Sequence, residues 1–138
     1  MRTFWTFLTS TGLVTLVVIT LAACGGGGSA RKCEEALTSA ATSVEGVVGA
    51  EFTCKRSFGN PSQTGSVTIA GTTEAQVTAV MEGVLQAFAA SPDLDDASVV
   101  YVDFANEDGS ITVIEQAVGF NGTPSIRDIR EHYGITPG

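Results

Sequence analysis

From residue 33 onward the apolar positions Leu37, Ala40, Ala41 and Val44 recur at the three- and four-residue spacing of one helical face. Glu34 and Glu35 fall in its first turn, where the helix dipole favours negative charge, and Gly46 stops it, so a helix is predicted over 33–45. The period then drops to two. Val48, Ala50, Phe52 and Cys54 alternate with Glu51, Thr53 and Lys55, which predicts a half-buried strand over 48–54. Asn60, Pro61 and Gly65 turn the chain, and Val67 and Ile69 mark the core side of a second strand over 66–70.

The same grammar repeats. Thr72 or Thr73 caps a helix carrying Val77, Val80, Met81, Val84, Leu85 and Phe88 on one stripe, the clearest amphipathic signal in the chain. Ser91, Pro92 and the acidic residues Asp93, Asp95 and Asp96 break it. A strand over 98–104, a turn ending in Asp108-Gly109 and a returning strand over 111–118 complete the second unit. Pro124 and Ser125 then introduce a short terminal helix with Ile126, Ile129 and Tyr133, stopped by Gly134.

Two helix-strand-strand units of this kind predict an α+β sandwich of two layers, with a four-stranded antiparallel sheet and both helices on one face. The second helix returns the chain so that the third strand runs parallel to the second, and the order 2-1-3-4 then makes all neighbours antiparallel. The order 1-2-3-4, with a mixed sheet, is the alternative. On the far face Val99, Tyr101 and Ile114 form an apolar cluster among Glu51, Thr53, Thr68 and Thr112. The terminal helix, with Phe120, is expected to fold back over that cluster; left uncovered, the three side chains mark a partner site.

The N-terminus has a different pattern. Residues 12–23 are apolar apart from Thr15 and Thr20, follow Arg2 and end in the small residues a signal peptidase needs. Leu21, Ala22, Ala23 and Cys24 match the lipobox, and this segment resembles the signal peptide of bacterial lipoproteins. The resemblance implies cleavage before Cys24 and a diacylglycerol (palmitate-type) anchor on its thiol. It places the protein on the extracytoplasmic side of the cell membrane. An uncleaved spanning helix over 4–23 is the plainer alternative. Gly25, Gly26, Gly27, Gly28 and Ser29 read as tether, giving a signal over 1–23, a lipidated Cys24 with tether over 24–30, and one globular domain over 31–138. No motif assigns that domain to a family.

Charge and cysteines narrow the chemistry. Arg2 is one of seven basic residues, so six remain in the mature chain against fifteen acidic ones, and nucleic acid is an improbable partner. Arg31 and Lys32 are the basic spot nearest the lipid, and two charges are too few to bind it. Of the three cysteines, lipidation removes Cys24 and leaves Cys33 and Cys54 as a pair in an oxidising compartment. The predicted helix advances about 18 Å and the strand returns about 20 Å, which brings the two sulfurs level. A structural disulfide is predicted.

No catalytic set is legible, and no metal or cofactor is expected. His132 is the only histidine, with Asp128 one helical turn before it, an ordinary surface spacing. Asp93, Asp95 and Asp96 lack calcium-loop spacing and read as a solvated loop or cap. Asn121, Gly122 and Thr123 read as a turn. The expectation is a membrane-anchored, non-enzymatic accessory module that binds an envelope protein or polymer through the sheet face or the acidic loop. The alternative is a small-ligand binder with a pocket lined by Phe88, Phe104 and Phe120.

Overall fold

The computed structural model describes residues 28–57 and 60–138. Helix α1, Gly28–Thr42, begins inside the expected tether. Ala30 stands three residues before Cys33 on the same face and packs against the core, so the helix extends back to reach it. Strand β1, Val47–Ser57, and strand β2, Asn60–Ile69, form a long antiparallel hairpin. Asn60, Pro61 and Gly65 are therefore strand residues, not a turn. Pro61 precedes the pairing of β2 with its other neighbour, which starts at Ser62, so its missing N–H breaks no ladder bond there. Val48 also departs from expectation. The register passes from Val47↔Ile69 to Gly49↔Thr68, so Val48 is the extra residue of a bulge and stands 52% exposed, while Val47 packs inward.

Helix α2, Glu74–Ala90, starts at Thr73, whose hydroxyl accepts from Gln76 N, and buries Val77, Met81, Val84, Leu85 and Phe88 as its stripe requires. Strand β3, Val99–Asn106, follows. Strand β4 is only Thr112–Val113, because Glu115–Val118 coils into a 3-10 turn closed by Gly119 in the left-handed region, and the strand expected over 111–118 is cut short. Helix α3, Ile126–Tyr133, completes the chain.

The fold is α+β, and its sheet is mixed, in the order β1-β2-β3-β4 with β2 and β3 parallel. This corrects the antiparallel 2-1-3-4 arrangement. The outer edge of β1, where that arrangement puts β3, is occupied at Cys54, whose N–H donates to Glu34 Oε1 at 3.0 Å. The strand after α2 pairs directly with β2, as in an ordinary strand-helix-strand crossover, which is the mixed 1-2-3-4 alternative.

Helices α1 and α2 lie on one face. The disulfide ties α1 to Cys54, and two residues along the same side of β1 the Phe52 ring meets Phe88 of α2 edge-on, centroids 5.8 Å apart. Among the described residues the buried core side chains run from Leu37 to Ile129, with Ala30 and Ile135 packed against them at the two ends. Two glycines permit close approach. Gly46, at φ +98°, lies where a Cβ would come within 2.7 Å of Val80, and Gly65 where it would come within 2.2 Å of the Phe52 ring.

Candidate functional site

The far face of the sheet is built by alternation. In β3, Val100, Val102 and Phe104 point into the core, so Val99, Tyr101 and Asp103 point away from the helices. Register aligns Thr53, Thr64 and Tyr101 across three strands, and Glu51, Ser66 and Asp103 in the next row. Ile114 follows the core residue Val113 and so shares the far face. Tyr101 is 52% and Ile114 57% exposed, and they flank an open depression of about 320 Å³ completed by Thr64, Asp103, Gln116 and Thr123.

The terminal helix does not cover this face, contrary to expectation. It packs on α2, where Ile126 and Ile129 are wholly buried. Arg130 explains the choice. Its guanidinium donates to Ala89 O at 2.9 Å, Ser91 O at 2.6 Å, Leu94 O at 3.2 Å and the Asp96 carboxylate, which fastens α3 to the carbonyl-rich end of α2. Val99 alone is half covered, through a bridge to Ser125. Phe120 goes with α3, its ring centroid 4.3 Å from that of His132.

Glu115 sits beside the exposed patch, only 6% exposed. Burial first, and then the neighbouring Asp103, pushes its carboxyl above the usual range. Alternation from the far-face Ile114 turns residue 115 inward, so the pattern carries the signal, and the charge of a glutamate alone masks it.

The other candidates have structural employment. Asp128 accepts from Ser125 N at 2.8 Å and Ser125 Oγ at 2.7 Å in a capping box. The Ser125 hydroxyl first, then its N–H, hold that carboxyl below the usual range. His132 lies between Phe120 and Tyr133 instead of beside a nucleophile. Burial, then Glu82, pushes the Tyr133 hydroxyl up to about 12. Asp95 accepts from Ala97 N at 2.9 Å, and Asp96 takes Arg130 and lies 3.9 Å from Arg127. Among the described residues no group of three His, Cys, Asp or Glu is placed to hold a metal ion. Phe88 and Phe104 are wholly buried core and Phe120 lies elsewhere; the hollows of about 790 Å³ and 320 Å³ are lined by other residues.

Cys33 and Cys54 form the disulfide, Cα atoms 6.2 Å apart. Beside it a hollow of about 210 Å³ opens between Ser29, Lys55, Arg56, Pro61 and the buried Gln63, whose Nε2 donates to Ser98 Oγ at 3.1 Å. The lipobox residues Leu21, Ala22, Ala23 and Cys24 and the signal over 1–23 lie outside the described residues. Among the described residues no helix is long and apolar enough to cross a membrane. No protein-family model, curated protein or solved structure matches the chain.

Proposed function

We propose that this protein is a lipid-anchored, non-enzymatic module on the extracytoplasmic side of the cell membrane, and that it binds an envelope protein through the far face of its sheet. The observation that carries the reading is the uncovered pair Tyr101 and Ile114. A domain with helices available to bury apolar side chains leaves two large ones exposed together on a rigid sheet. Around them Thr53, Thr64 and Thr123 supply hydroxyls for a polar rim, the anatomy of a small protein-binding patch. The anchor rests on the lipobox, and the chain's acidic surface argues against nucleic acid as the partner.

The test is crosslinking of the protein in its native envelope, with the Tyr101→Asp/Ile114→Asp chain as control. One partner captured by the unaltered chain and lost from the control is the expected result. Equal capture by both chains, or no crosslinked species with either, overturns the reading.

A further inference from the structure

The mature chain's six basic residues all lie toward one end of the molecule. Strand β1 runs toward its hairpin with β2, and Lys55 and Arg56 stand near that tip. Helix α1 starts at the same end, because Cys33 in its first turns is bonded to Cys54. The disulfide therefore joins two mirrored dibasic pairs, Arg31-Lys32-Cys33 and Cys54-Lys55-Arg56, separated in sequence and all four basic side chains exposed. Strand β3 also begins at this end, with Val99 opposite Ser62, and there Arg127 and Arg130 are engaged with Asp96. The opposite end carries Glu45, Glu74, Glu107 and Asp108 and no basic residue.

We propose that the cationic corner framed by the Cys33–Cys54 disulfide docks on an anionic lipid surface, the membrane to which the chain is anchored. Four basic residues in one place reach the number at which anionic headgroups are recognised, where Arg31 and Lys32 alone do not. Two acids share the corner, Glu34 accepting from Cys54 N and Glu35 lying 3.8 Å from Arg31, so the four basic side chains leave it with a net positive excess rather than its full cationic count. Asp95 caps the turn before β3, two strands and so about 10 Å from β1, while Asp93 lines a hollow with Ala36, Ser39, Ala40 and Ser43 further along α1. Chain length points to the same surface. Cys24 is four residues from Gly28, where α1 begins, so an anchor there holds the corner within about 14 Å of the bilayer. That is an upper limit, and it lets the corner come inside the roughly 8 Å over which a surface charge acts in physiological salt. Docked in this way, the strands stand away from the membrane with the acidic end outermost, and the Tyr101–Ile114 face is reachable from the side. The identity of the surface rests on the anchor reading; the corner's preference for anionic lipid does not.

The experiment uses residues 28–138, which contain the core among the described residues and the disulfide but no attachment site, and is read only on chain shown to be folded by a cooperative urea transition. Their sedimentation with phosphatidylglycerol-containing vesicles is compared with that on pure phosphatidylcholine vesicles, in low and high salt. The expected result is several-fold greater partition onto the anionic vesicles, abolished by salt, lost in Lys55→Glu/Arg56→Glu and weakened in Lys32→Glu. Glu45→Gln/Glu107→Gln, at the opposite end, is expected to leave it unchanged. A thiol count confirms the disulfide in each variant. Equal partition onto both vesicles, or a preference that survives the Lys55/Arg56 and Lys32 changes, overturns the proposal. Lipid on Cys24 is read separately, by mass, in the envelope fraction. An unmodified Cys24 with intact anionic preference overturns the anchor reading alone, and a modified Cys24 with no preference overturns the docking alone.

Discussion

Gly65 stands opposite Phe52 across the β1–β2 ladder, and the ring lies over the space a side chain would fill. Gly65→Ala forces Phe52 off its contact with Phe88, and overpacking of this kind costs about 1–3 kcal/mol. Urea unfolding is expected to show a lower midpoint with an unchanged slope. Glu115 behaves in the opposite sense. Its folded carboxyl titrates above the unfolded one, so the ionised form opposes folding at neutral pH, and the penalty disappears as pH falls through the folded value toward the unfolded one. Glu115→Gln is accordingly expected to raise stability near neutrality, with a gain that shrinks toward zero in acid. A gain independent of pH would show that the carboxylate's burial is not the cause.

At the scale of elements, α3 depends on Arg130 as much as on its two buried isoleucines. One guanidinium satisfies three carbonyls and a carboxylate from the α2–β3 connection, and Arg130 is mostly buried while doing so. Arg130→Ala leaves those carbonyls without their donor while the half-exposed Asp96 stays solvated, and is expected to cost about 1–3 kcal/mol. Arg130→Lys recovers little, because an ammonium cannot span the fork of acceptors. Thermal unfolding of the three chains checks both statements. The stripe of α2, the pairing of Cys33 with Cys54 and the inward set Val67 and Ile69 were legible in sequence because period and chain length determine them locally. Strand order was not. Periodicity allows both 2-1-3-4 and the mixed 1-2-3-4 found, and the choice rests on the β2–β3 ladder between residues far apart in sequence. The placement of α3 is not legible in sequence, because Ile126 and Ile129 suit any apolar surface and what selects α2 is the set of carbonyls that Arg130 finds there. Tyr101 and Ile114 were legible as a far-face pair by alternation alone, and their exposure followed once α3 went elsewhere.

For the molecule as a whole, the disulfide decides more than stability. Helix α1 buries only Leu37 and Ala41 fully and, at fifteen residues, is marginal as an isolated helix. The bond closes a loop of 21 residues' separation, which stabilises a fold by roughly 3 kcal/mol in the chain-entropy account. Core contacts on α2, β2 and β3 do not pass through it. Cys33→Ser/Cys54→Ser is therefore expected to loosen α1 ahead of the remainder, and hydrogen exchange should show α1 amides losing protection while those of α2 keep most of theirs. Two consequences travel with that loosening. Glu34 leaves the outer edge of β1, exposing an eleven-residue strand to pairing with other chains, so aggregation at raised concentration should increase. The two dibasic pairs separate as well, so preference for anionic vesicles should fall even though no charge has been removed. Uniform loss of protection in α1 and α2 would show one cooperative unit. Undiminished vesicle preference in the loosened chain would show that either dibasic pair binds alone, and that the corner is not assembled by the disulfide.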